Sequence, residues 1–198
     1  MKKNLLSLIS NKKTVIIFII ISNIFIVNAS DRTDALALQN QCDTESKLLE
    51  IPARNFGDEK DIIEFEEGLK KIKLGKVKNA QSKYREAMAL FNEYLQMQFN
   101  IYKSLAEKYI KRTEKMNDDS AEELVEYVND PKILRNFESA FQYLITAKKY
   151  FTTKHYSKTV GSCRLAKRSI LENYKISGVE IPEDYKKDLD DISNKLYQ

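Results

Sequence analysis

The chain has no tryptophan, one histidine, two cysteines, three prolines and five glycines among its 198 residues. Each shortage excludes something. One His (His155) and two Cys (Cys42 and Cys163) cannot complete a four-ligand zinc site without carboxylates, and no metal-ligand spacing occurs. His155 follows Lys154 and precedes Lys158, so it reads as a solvated turn residue rather than a general base. The glycines make no phosphate loop. Gly68 and Gly75-Lys76 are separated by six residues instead of four, and Val77 stands where Ser or Thr is needed. No G-x-S-x-G, H-E-x-x-H or G-x-G-x-x-G is present. The expectation is a protein without catalytic residues, metal or cofactor. Few Gly and Pro, with abundant Leu, Ile, Ala, Tyr and Phe, favour an all-α fold.

A surplus of one charge is also missing once the N-terminus is set aside. The chain has 33 Lys+Arg against 29 Asp+Glu, but Lys2, Lys3, Lys12 and Lys13 lie in a first segment that holds no acid. The remainder carries 29 of each sign. Nucleic-acid binding needs a net or clustered positive field, and the total supplies none. The first segment has the shape of a secretory signal peptide: basic residues, an apolar run from Thr14 to Val27, and Val27-Asn28-Ala29 as a cleavage site. Fourteen helical residues span about 21 Å, short of the roughly 30 Å hydrocarbon core. Cleavage after Ala29 is expected, giving a periplasmic chain; a retained leader would tether it to the membrane. Cys42 lacks the small and apolar neighbours of a lipidation site. In an exported chain a Cys42–Cys163 disulfide is allowed, and closing so long a loop would stabilise by about 4–5 kcal/mol. The alternative is a free Cys163 as a small buried residue.

Read in order, residues 30–57 form a lead-in or linker broken by Pro52, Asn55 and Gly57. One helical domain covers 58–198. Asp58 caps a helix with Ile62, Phe65, Leu69 and Ile72 on one stripe, and Gly75 ends it. A continuous helix of nearly 40 residues runs from about Val77 to Met116. Asn117 to Ser120 reads as a turn before a short acidic helix, Ala121 to Val128. Asp130-Pro131 opens the next helix. The turn Thr152–His155 leads to a helix with Val160, Cys163, Ala166, Ile170 and Tyr174 inward, stopped by Gly178. A final helix carries Tyr185, Leu189, Ile192 and Leu196 on one face. Its polar face holds Glu183, Lys186, Lys187, Asp190, Asp191 and Lys195, as suits a cap on a helical stack.

Small residues recur with matched spacing. Ala147, Tyr150, Lys154, Tyr156, Thr159, Cys163 and Ala166 repeat the intervals of Gly68, Lys71, Gly75, Val77, Ala80, Tyr84 and Ala87, 79 positions earlier. The pattern resembles the tetratricopeptide-repeat family, with units at about 61–94 and 140–173. It departs from the family at Glu64, Glu67 and Lys71, at Thr146 and Lys167, and in the long helix between the units. The resemblance implies an all-α fold of degenerate hairpins with a long intervening helix and a C-terminal capping helix. It also implies a concave face that includes Phe65, Leu69, Ile72 and Lys73 from the first unit and Phe141, Leu144, Lys148 and Phe151 from the second. That face would bind a protein partner.

With a leader similar to those of AT-rich bacteria, the expectation is an exported scaffold or adaptor in the cell envelope. It is similar in style to the small exported tetratricopeptide proteins of the spirochaete flagellar motor collar. The alternative is a closed apolar pocket lined by Phe141, Phe151, Tyr143 and Tyr150, taking a lipid or small hydrophobic ligand. Charge is segregated: Ser139 to Leu171 contains no acid, while Asp118 to Asp130 contains six acids and no base. An acidic partner for the second hairpin is one reading, and internal pairing or solvated faces the other.

Overall fold

The computed structural model describes residues 30–193, and over them the chain is all-α. Helix α1 covers 30–56, α2 Glu59–Ala80, α3 Tyr84–Glu123, α4 Pro131–Thr152, α5 Tyr156–Ser177 and α6 Lys186–Ser193. The expected leader, Lys195 and Leu196 lie outside the described residues. Among those described, no helix is long and apolar enough to cross a membrane.

The stretch read as a lead-in is a helix. Ala35, Cys42, Leu49 and Ala53 fall at helical spacing and are fully buried. Cys42 packs with Ile72, Ala87, Phe91 and Tyr94, whereas Leu49 and Ala53 join Phe65, Ile101 and Leu105. Burial of that stripe outweighs the roughly 3 kcal/mol cost of a proline inside a helix, so Pro52 does not end it. Gly57 does, and Asp58 then caps α2, its side chain accepting from the Asp61 N–H while the Asp61 side chain accepts from the Asp58 N–H.

Gly75 does not stop α2. It lies against the Phe91 ring, where an added Cβ would fall 2.5 Å from Cε1, and Gly68 meets Tyr94 in the same way at 2.8 Å. These glycines let α3 approach α2 closely; the reversal comes later, at Gln81–Lys83, with Ser82 at φ 59. Helix α3 has the expected length, 40 residues, but is shifted toward the C-terminus. It passes through the predicted turn at Asn117–Ser120 because Met116, Ser120 and Leu124 are buried and tyrosine hydroxyls hold its last turns. Tyr174 donates to Glu123 at 2.7 Å, and Tyr185 donates to Asp119. The predicted acidic helix is reduced to the end of α3 and a 3-10 turn, Val125–Tyr127. The second hairpin follows expectation: Asp130 caps α4, Pro131 begins it, and Gly178 closes α5 at φ 73.

The structure also resets the repeat. N-caps Asp58 and Asp130 each begin a 22-residue helix. Ser82 and Lys154 sit at φ 59 and 60, followed by Lys83 and His155 at φ −91. Every pair is 72 positions apart. The turn bonds match too: Gln81→Val77, Ser82→Asn79 and Lys83→Lys78 answer Thr153→Lys149, Lys154→Phe151 and His155→Tyr150. The 79-residue offset read from the small residues is two helical turns too long. A seven-residue slip returns nearly the same helix face, so a periodic stripe cannot separate the two registers, whereas the turns do.

The match reaches the preceding helix. One position out of step, at a spacing of 71 rather than 72, Ala35, Cys42, Leu49 and Ala53 of α1 answer Ala106, Thr113 and Ser120 of α3 and Leu124 at its C-cap, all buried. Lys76 pairs with Asp43 at 2.7 Å as Lys148 pairs with Glu114 at 2.6 Å. Helix α3 thus closes one three-helix unit and opens the next.

The two glycine environments make opposite demands. Gly75→Ala should lower the melting temperature despite the better helix propensity of alanine, because the fully buried Phe91 ring must shift. Gly161→Ala, with nothing within 4 Å of the new Cβ, should raise stability by up to about 1 kcal/mol. Parallel thermal melts of the two variants check both signs.

Candidate functional site

The eight residues assigned to a concave face do not share one. Phe65, Ile72 and Leu144 are core, at 1%, 5% and 6% exposure. Leu69 is half-buried against the core, and Phe151 packs edge-on to Tyr156 with ring centroids 5.8 Å apart. Lys73 is exposed on α2, and Lys148 is exposed on α4 beside Glu114. Phe141 alone of the apolar members faces water, at 57% exposure. With Leu134 and Ile145 it forms an apolar stripe along the solvent side of α4, at positions i, i+7 and i+11. The burial follows from helix length: 22-residue helices packed along their whole length turn the expected concave positions inward. Phe141, Phe151, Tyr143 and Tyr150 do not enclose a pocket either. Phe141 is in solvent, Tyr143 packs against the second core cluster, and Tyr150 lines a shallow groove beside Lys158.

Cys42 and Cys163 are not bridged. Both are buried free thiols, in separate clusters. Cys42 donates to the Phe91 carbonyl at 3.6 Å. Burial pushes both thiols up to about 12. A folded-state value above the unfolded one means that the native chain keeps protons the unfolded chain releases. Stability is therefore flat below pH 8 and falls as pH rises past 9, by at most about 1.4 kcal/mol per thiol per pH unit. Urea unfolding at pH 8 and 9.5 should show the loss, and a thiol reagent should find both cysteines protected until denaturant is added.

The strongest concentration of charge was not anticipated. Lys167 is fully buried in α5, its Nζ 2.7 Å from Asp188 and 3.5 Å from Asp191, both fully buried on α6. Its ammonium also lies 4.0 Å from the ring centroids of both Phe56 and Tyr109. Arg164 pairs with Asp191 at 3.1 Å, and Tyr109 donates to the same carboxylate at 3.0 Å. Arg112 of α3 reaches both oxygens of Asp188, Nε to Oδ1 at 3.1 Å and Nη2 to Oδ2 at 2.5 Å, the bidentate geometry favoured for guanidinium and carboxylate. Burial raises the Asp191 carboxyl above its ordinary value, while Lys167 and Arg164 act in the opposite direction.

The sequence puts Asp191 on the polar face of the last helix, and the structure buries it at the centre of the cluster. A signal was present: Arg164 and Lys167 lie within the inward run Val160, Cys163, Ala166, Ile170, where a solvated cation does not fit. Truncating one partner leaves charges buried without compensation. Asp191→Ala should cost about 3–5 kcal/mol in urea unfolding, and trypsin should cut faster at Lys186 and Lys187 as α6 detaches.

Among the described residues no group of three or more His, Cys, Asp or Glu side chains is placed to hold a metal ion. The surface has open grooves. One of about 700 Å³ between α2 and α3 is lined by Lys60, Glu64, Glu67, Lys103 and Glu107 among others. A smaller one, about 250 Å³, lies where α4, α5 and α6 meet. No protein-family model, curated protein or solved structure matches the chain.

Proposed function

We propose that the chain is a non-enzymatic scaffold that binds another protein through the solvent face of α4. The observation that carries this is the exposed stripe Leu134, Phe141 and Ile145. Its repeat counterparts on α2 are Ile62, Leu69 and Lys73, and the first two are half-buried. The same helix position is thus packed in one unit and turned to water in the next. Large apolar side chains aligned on one face are a feature of docking surfaces rather than of ordinary solvated helices. Lys148 and Lys149 flank the stripe and give it a basic edge.

The leader-like first segment supports an exported, periplasmic setting, and the paired hairpins support a tetratricopeptide-like module in a larger envelope assembly. The scattered positions of Phe141, Phe151, Tyr143 and Tyr150 favour a protein over a lipid as ligand. The test is in-cell cross-linking of the chain and of Phe141→Glu/Ile145→Glu, with identification of what is captured. Loss of one specific protein partner from the variant, at unchanged melting temperature, is the expected result. Equal capture by both chains, or co-purified lipid without a partner, would sink the proposal.

A further inference from the structure

Two oppositely charged features lie apart on the second unit. The first is the tip where α3 passes to α4. Within its six acids, Asp119 and Glu123 accept from Tyr185 and Tyr174, and Asp130 caps α4. Asp118, Glu122 and Glu126 are exposed, beside Val125 at 62% exposure and the half-exposed Tyr127 and Val128. Lys115, paired with Asp119 at 3.4 Å, and Lys132 at the start of α4 are the nearest cations along the chain. The tip is therefore acidic with an apolar centre.

The second feature is the 250 Å³ groove. Leu165, Tyr150 and Ile192 form its apolar surface, and Lys158, Arg164 and Arg168 its polar one; no acidic side chain lines it. The cations are held in place. Lys158 lies 5.6 Å from the Tyr150 ring centroid, Arg168 donates to the Ile192 carbonyl at 3.1 Å, and Arg164 is anchored on Asp191. The groove is basic with an apolar floor and has room for one or two of the tip's side chains.

We infer that the tip of one copy docks in the groove of a second copy. The two patches complement each other in charge and in apolar content. They do not meet within one chain: no acidic side chain of the tip lines the groove, whose cations rest on Tyr150, the Ile192 carbonyl and Asp191. Each copy carries one tip and one groove, so the contact is heterologous and propagates as an open chain unless the rotation closes a ring. The contact is small and largely charged, hence weak and sensitive to salt. This self-assembly is separate from the α4 surface and does not rest on it.

Sedimentation velocity on the chain without its first 29 residues tests the inference. The average mass should climb with protein concentration at low salt and fall back in about 0.5 M NaCl. Glu122→Gln/Glu126→Gln should stay monomeric, as should Lys158→Gln/Leu165→Gln. All four positions are exposed, and unchanged thermal melts will confirm folding. Mixed together, the two variants should form a one-to-one dimer and nothing larger, since one tip and one groove remain. Phe141→Glu should associate as the parent does. A parent chain that stays monomeric, a variant that still assembles, a mixture without dimer, or loss of assembly in Phe141→Glu would each overturn the inference.

Discussion

A single buried ammonium group joins four helices. Lys167 of α5 is enclosed by the rings of Phe56 from α1 and Tyr109 from α3, and is neutralised by Asp188 and Asp191 from α6. An isolated charge in such a place would cost several kcal/mol, so none of these groups can be buried alone. Their mutual dependence orients α6. Apolar residues of that helix, Leu189 and Ile192, would accept several rotations against the second core cluster, whereas the two carboxylates fit only where Arg112, Arg164 and Lys167 converge. Charge here specifies an arrangement that hydrophobic burial alone would leave loose.

That arrangement closes an array built on sharing. Helix α3 serves the first hairpin with one half and the second with the other, so the two units cannot move as independent bodies. The close approach at Gly68 and Gly75 brings α3 onto α2. The buried positions of α1 recur in the far half of α3. The array leaves one face of α4 bare, and it holds an acidic tip and a basic groove apart on the same chain. Both proposed contacts arise from this: a surface turned outward because its counterpart is packed inward, and two complementary patches that one chain cannot bring together.

How much could be read beforehand varies with the physical cause. The all-α class, the caps at Asp58 and Asp130, the stop at Gly178 and the inward face of α5 rest on local periodicity and cap chemistry, and these are written in neighbouring residues. The helix over 30–56 was hidden by Pro52, since the buried stripe that overrides the proline becomes visible only with its partners. Gly75 was read as a stop because a glycine that ends a helix and one that admits a neighbouring ring look alike in one dimension. The expected groove failed at Phe65, Ile72 and Leu144 because an apolar side chain carries no mark that separates core from binding surface.

By itself the sequence determined the all-α class, the second hairpin with its caps, the cap at Asp58 and the segregation of charge into an acid-free hairpin and a base-free connection. Those depend on spacing and side-chain type within a few turns. Only the tertiary structure decided the repeat register, since a heptad slip preserves a helix face and the turns alone distinguish 72 from 79. It also decided which charges are buried: Asp188 and Asp191 resemble solvated residues until α6 folds back across Phe56 and Tyr109. Burial of charge depends on partners distant in the chain, and only the packed structure brings them together.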